Sequence, residues 1–192
     1  SDNGPVTDDG YQDDAVAKLG AHRPAGPFRG GKYSLFEGGT RMPFIVRWPG
    51  RVKPGTSDAL VSQVDFSASF AALVGQTPDA KTMPDSMNVL PALLGDSTIG
   101  RDHVVEHAGG LALRVGNWKY IPPGPVRDTL DASNRKMIEF ERGALFDLST
   151  DPGEQKNVAD QHPEKMEQLA AQLETIRGNA SASSGRNAKA PR

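Results

Sequence analysis

RGGKYSLFEGGTRMPFIVRWPG, residues 29–50, sets a glycine-rich segment around Lys32 and Arg41 directly before an apolar run. Glycines let a backbone approach a ligand closely, and a lysine among them can direct its charge at an oxyanion. The spacing is not that of a Walker loop, because G-x-x-x-x-G-K-[ST] is absent. The plainer alternative is a surface loop with a solvated lysine, pinned by a Glu37–Arg41 ion pair. These residues alone leave both readings open. Residues 43–48 read as a buried strand closed by Pro49-Gly50. One strand and a long glycine-rich loop do not make a sheet, so the first half is expected to need strands from elsewhere.

Upstream, the chain opens on Ser1-Asp2-Asn3-Gly4-Pro5. A carboxylate beside a side-chain carbonyl offers hard oxygen donors, suited to Ca²⁺ or Mg²⁺ rather than Zn²⁺. An Asn-Gly turn preceded by an unrelated acidic residue explains the same residues. Two ligands also fall short of the roughly six to eight oxygens a Ca²⁺ ion takes. Residues 13–19 have weak helical character, ended by Gly20. Residues 22–31 are rich in Pro and Gly.

Downstream, residues 61–74 read as a helix with Asp65 as its cap and Gly75 as its stop. Residues 89–94 form a second short helical piece. The pattern then changes. Residues 103–107, 111–115, 118–121 and 144–148 read as strands, with Gly116-Asn117 as a hairpin turn. Residues 163–177 form an amphipathic helix with Pro163 in its first turn and Met166, Leu169, Leu173 and Ile176 on one face. The domain division is expected to be 1–100, incomplete alone, then 101–178 as a small α+β subdomain, then 179–192 as a disordered tail.

Bulk properties narrow the class. The 192 residues carry 22 Lys and Arg against 24 Asp and Glu, for a net charge of −2. That balance gives no electrostatic argument for nucleic acid. No apolar run approaches a membrane span, so no membrane insertion is expected. The absence of Cys excludes disulfides, thiolate-bound zinc and cysteine catalysis within these residues. Of the histidines, His103 and His107 share a strand face at i, i+4, His162 is expected at the surface, and no Ser-His-Asp order suggests a triad.

In one fixed order run SDNGP, GGKYSLFEGGTRMPFIVRWPGRV, VSQVDFSASFAALVG, DSMNVLPALLG, LALRVGNWKYI and ALFDLSTDPGEQKNVA. Over about residues 1–177 this resembles the C-terminal portion of the formylglycine-dependent sulfatases, the arylsulfatase-like branch of the alkaline phosphatase superfamily. The resemblance implies an α/β fold: the C-terminal part of that sulfatase fold, followed by a small antiparallel sheet with a packed C-terminal helix. It implies that Asp2 and Asn3 match the family's second pair of Ca²⁺ ligands. It implies that Lys32 is catalytic, contacting the sulfate ester and steadying charge on its oxygens. Glu37, Gly38, Gly39 and Arg41 then support that lysine. His22, Arg29 and His107 are expected to touch the rest of the substrate.

The family's C/S-x-P-S/A-R motif, source of the formylglycine nucleophile, does not occur here. The resemblance implies that the nucleophile and the first pair of Ca²⁺ ligands belong to an N-terminal catalytic half, a partner this chain alone lacks. The chain by itself is then expected to be inactive. The implied parent activity is hydrolysis of a sulfate ester on a carbohydrate or aryl substrate, in a periplasmic or secreted setting. Two alternatives stand beside it. One is a phosphodiesterase or phosphonate hydrolase of the same superfamily, against which Asn3 argues because an Asp-His pair is typical there. The other is a non-catalytic, truncated binding module.

Overall fold

The computed structural model describes residues 1–129 and 136–187, with side chains described as far as residue 178. The chain forms two compact units. One joins residues 1–42 to 105–192, and the other is 43–104. The expected division near residue 100 therefore takes a different form. The segment carrying Lys32 folds with the C-terminal sheet, because its buried groups find their partners there.

In the first unit, strands β1 (His103–His107), β2 (Leu111–Val115), β3 (Trp118–Ile121) and β6 (Ala144–Asp147) form one sheet in the order β1-β2-β3-β6. Both β2–β3 and β3–β6 are antiparallel, with Leu113 opposite Tyr120 and Tyr120 opposite Leu145. The two-residue loop Gly116-Asn117 joins β2 to β3 as expected, and Gly116 takes the positive φ of 56° that such a turn favours. Strands β4 (Gly124–Arg127) and β5 (Met137–Phe140) pair antiparallel as a separate ribbon. No expectation covered this ribbon. Its PPGPVR run lacks an alternating apolar pattern, and three prolines argue against a strand.

The period of two sorts the sheet's side chains between two layers. Leu113, Tyr120 and Leu145 share one face with Val115 and Trp118. They pack on helix α5 (Pro163–Asn187) through Met166, Leu169, Leu173 and Ile176, the face read from the sequence. Helix α5 continues past its expected end at residue 177. Residues 179–187 are therefore helical rather than disordered, and 188–192 lie outside the described residues. The other face carries Ala112, Ile121, Ala144 and Phe146, which pack against Leu35 and Phe36 of the lysine segment and against Val126 of the ribbon. Phe36 is fully buried. Its ring meets those of Phe140 and Phe146 edge-on at 6.4 and 6.1 Å.

Two more short helices lie in this unit. Helix α1 (Ala15–Leu19) ends at Gly20 as expected, and α2 (Glu37–Thr40) turns the lysine segment back on itself. Gly38 in α2 lies so close to the strand of chain at Arg29 and Gly30 that an added Cβ would fall 2.4 Å from the Gly30 carbonyl oxygen.

The second unit holds α3 (Asp65–Leu73) and α4 (Leu90–Leu93). The helix expected over residues 61–74 begins only at Asp65. This carboxylate is fully buried and accepts the Ser62 and Met87 amides at 3.0 and 2.9 Å while pairing with Arg101. It ties three segments together instead of capping its own helix. Residues 43–48 are not a strand. They are irregular, with Phe44 49% and Ile45 87% exposed, because no neighbouring strand supplies ladder hydrogen bonds to them. Phe44 stacks instead on Phe66, with ring centres 5.2 Å apart.

Gly38→Ala should destabilise the first unit by about 1–3 kcal/mol, since the new methyl meets backbone rather than a flexible side chain. Urea unfolding followed by near-ultraviolet circular dichroism would measure it.

Candidate functional site

The lysine segment is held at both ends and in its middle by backbone bonds. The Gly38 amide donates to the Arg29 carbonyl at 2.8 Å, and the Ser34 amide to the Gly31 carbonyl at 2.9 Å. The N-terminal segment is stitched onto it. The Gly4 amide donates to the Gly39 carbonyl at 3.1 Å, and the Lys32 amide to the Pro5 carbonyl at 2.8 Å. Gly4 is buried there, and a Cβ on it would lie 2.2 Å from the Gly38 carbonyl oxygen. Two stretches singled out separately in the sequence, Asp2-Asn3-Gly4 and the segment around Lys32, are thus one piece of structure.

Lys32 is half-buried, and among the described residues no carboxylate pairs with it. Its Nζ lies 5.3 Å from the centre of the Tyr33 ring, within cation–π range. Tyr33 has φ 73°, a left-handed conformation that costs a non-glycine residue about 1–3 kcal/mol and needs surrounding structure to enforce it. The Asp2 carboxylate is exposed, and among the described residues it has no partner. Asn3 donates its Nδ2 to the Gly4 carbonyl at 3.0 Å, which leaves Oδ1 as a free acceptor. The site therefore presents one cation and two side chains with hard oxygen donors on a rigid turn. Among the described residues no group of three or more His, Cys, Asp or Glu converges as a metal cage.

The remaining expected residues fall in different places. Arg29 donates Nη1 to the Glu154 carbonyl at 2.7 Å, pairs with Asp128, and lies 4.2 Å above the Phe36 ring. These contacts hold the segment to the ribbon and to the turn after β6. His22 is exposed on the wall of a cleft of about 340 Å³ with Arg23, Phe28, Arg29 and Gln155. His107 is exposed at the end of β1.

Beneath the lysine segment lies a cluster of which the sequence reading named only the Glu37–Arg41 pair. Glu37, fully buried, places Oε1 3.1 Å from Lys119 Nζ and Oε2 3.0 Å from Arg114 Nη1, with Arg41 at 3.6 Å. Lys119 is itself fully buried and also faces Glu106 Oε2 at 2.7 Å and Glu154 Oε1 at 3.4 Å. The Glu37 amide donates to Glu154 Oε2 at 2.6 Å. Glu154 adopts φ 51°, so this turn too is held in a left-handed conformation. Lys119 and Arg114 are cross-strand neighbours on one sheet face. A charge alternating with apolar residues, as in LALRV and WKYI, was the signal available: both charges occupy inward positions of their strands.

Burial drives the Glu154 carboxyl up from 4.5 to about 7, although the Lys119 ammonium opposes the shift. Burial also disfavours the charged form of Lys119, but Glu106, Glu154 and Glu37 together outweigh it and hold its pKa above the ordinary value.

Against known proteins, residues 1–76 match the family model described as Sulfatase. The chain is 46% identical over 179 residues to the N-acetylgalactosamine-6-O-sulfatase of Bacteroides thetaiotaomicron, covering 92% of this chain and 35% of that protein. It is 30% identical to human arylsulfatase A, covering 95% of this chain and 37% of the relative. A solved Bacteroides thetaiotaomicron structure, described under the metabolism of multiple glycosaminoglycans, superimposes with a TM-score of 0.84 at 46% identity over 93% of this chain and 38% of its own. The PsFucS1 sulfatase of Pseudoalteromonas sp. shares the fold, with a TM-score of 0.72 at 23% identity over 93% of this chain and 36% of its own. The chain thus spans about a third of the length of the relatives it matches.

Lys119→Met leaves the buried Glu37 and Glu154, with the partly buried Glu106, without their common partner and should cost about 3–5 kcal/mol. Glu154 contributes a pH dependence of known sign. The folded chain holds this proton to higher pH than the unfolded chain, so stability falls as pH rises from about 4.5 to about 7 and levels off above. Glu154→Gln should remove that decline, measured as the difference between wild-type and variant unfolding midpoints across the same window.

Proposed function

We propose that the protein hydrolyses sulfate esters, with a sulfated carbohydrate as substrate, a reading supported by the match of residues 1–76 to the Sulfatase family model. The observation that carries the proposal is the junction of the Asp2-Asn3 turn with the Lys32 segment through the Gly4–Gly39 and Pro5–Lys32 backbone bonds. It sets an unpaired ammonium on the same rigid piece as two hard oxygen donors. That combination suits an anionic ester held between a lysine and a hard cation.

Asp2 and Asn3 would hold Ca²⁺ together with oxygens from elsewhere in the protein, since two side chains supply only part of its usual shell. The bound ion would act as a Lewis acid on the sulfate oxygens. Lys32 would donate to another of those oxygens, where negative charge grows as the ester bond breaks. It would need no reorganisation to do so, because its segment is already fixed by the Glu37–Lys119 cluster beneath it. The formylglycine nucleophile expected for the family would come from outside these residues. The name of the Bacteroides thetaiotaomicron relative favours a 6-sulfated N-acetylgalactosamine unit as the group acted on. A periplasmic or secreted setting suits such a substrate.

In the full-length protein, Lys32→Ala should lower kcat for a sulfated sugar by about 10²–10³-fold with folding intact. Asp2→Ala and Asn3→Ala should raise the Ca²⁺ concentration needed for half-maximal rate. Faster turnover of the matching phosphate ester than of the sulfate ester would replace the sulfatase reading with the phosphohydrolase one. Binding of the sulfated sugar without turnover would favour a binding module.

A further inference from the structure

The cleft beside the lysine segment has walls of unlike chemistry from the rest of this unit. One wall is residues 19–29, a succession of tight turns closed by the bonds His22 N to Leu19 O, Gly26 N to Arg23 O and Phe28 N to Ala25 O, at 3.1, 2.9 and 3.2 Å. Pro24 and Pro27 restrict the backbone within it. The opposite wall is Gln155, from the turn that bears Glu154. Gln155 donates Nε2 to the Gly153 carbonyl at 2.6 Å, which fixes its amide and leaves Oε1 as an acceptor with no donor among the described residues.

No carboxylate is among the residues lining the cleft. Its charges are all basic, yet they are not equivalent. Arg29 is neutralised by Asp128. Arg23 is exposed, and among the described residues its guanidinium has no partner. The neighbouring His22 is also exposed, its side chain has no partner among the described residues, and its imidazole offers an N–H in either protonation state. In a chain of net charge −2, this is uncompensated positive potential inside a preformed concavity of about 340 Å³. Arg29, at the end of the 19–29 wall, is three residues from Lys32, at most ~11 Å of chain. One extended substrate would span both.

The geometry points to this cleft as a saccharide subsite for a sugar unit bearing its own anionic group, carboxylate or second sulfate, next to the unit whose ester meets Lys32. Arg23 reads the anion by a forked, charge-assisted hydrogen bond. His22 adds a donor, and Gln155 Oε1 accepts from a sugar hydroxyl. The assignment rests on the sulfatase reading only for the identity of the glycan. The cleft's preference for an anion does not require turnover.

Calorimetric titration of the full-length protein with unsulfated disaccharides tests it independently of catalysis. One disaccharide carries a single carboxylate, and its counterpart has that carboxylate reduced to an alcohol. The wild type should bind the acid about tenfold more tightly than the alcohol, a preference that weakens as salt is raised. Arg23→Ala should abolish the preference while leaving the alcohol's affinity within about twofold. The variant changes an exposed side chain with no hydrogen-bond or ion-pair partner among the described residues, and an unchanged unfolding midpoint would verify its fold. A third disaccharide bears a sulfate in place of the carboxylate. It is titrated in a Lys32→Ala background, so that Lys32 does not capture it, and it tells which anion is preferred. Equal affinity for all three probes, or a preference that survives Arg23→Ala, would overturn the assignment.

Discussion

Everything near Lys32 depends on where one buried carboxylate finds its counter-charge. Glu37 sits in the tight turn of α2, and its side chain is removed from water. An isolated carboxylate there would be prohibitively costly, so the turn can dock only where cations already wait. Lys119 and Arg114 are those cations, cross-strand neighbours on one face of the sheet. The apolar pair Leu35 and Phe36 supplies contact area, but hydrophobic contact is indifferent to small shifts. Two directed ion pairs are not. Replacing the whole set by apolar residues of equal volume need not destabilise the fold, so the role of the cluster is to choose one docking position.

That choice propagates outward through short covalent paths. Lys32 lies five residues before Glu37, and the intervening chain is fixed by glycine packing and by the left-handed Tyr33. The Gly4 and Pro5 bonds then fasten the Asp2-Asn3 turn to the same piece. A charge meant to act on a developing oxyanion gains most when it does not have to move, and this arrangement removes the need. On the other side, Arg29 anchors the segment to Asp128 and the Glu154 turn, so the cleft wall inherits the same rigidity. Glu154 joins both ends: its side chain accepts from the Glu37 amide and its carbonyl accepts from Arg29.

The second unit follows the same logic on a smaller scale. Asp65 is another fully buried carboxylate, and it gathers Ser62, Met87 and Arg101 around α3. The apolar run at residues 43–48 has no such anchor and no strand beside it, and it leaves Ile45 largely in solvent. Local β-propensity at this run was strong. A strand, however, exists only by pairing, and propensity cannot supply a partner.

The sequence by itself determined the elements whose signals are local: four strands of the main sheet, the Gly116-Asn117 hairpin, and the face of α5 that covers it. Alternation and helical period encode burial directly, so these could be read without knowing any neighbour. It also determined the sulfatase resemblance, because SDNGP, GGKYS and LFDLSTDPGEQKN stand in a fixed order. Tertiary structure alone decided that the lysine segment belongs to the C-terminal unit, that Asp2-Asn3 and Lys32 form one piece, and that β4 and β5 pair. It alone decided that Arg29 is neutralised while Arg23 is free. Each of these turns on a partner far away along the chain, such as Glu37 with Lys119 or Arg29 with Asp128. A charged residue in a sequence looks the same whether it will meet water or its opposite.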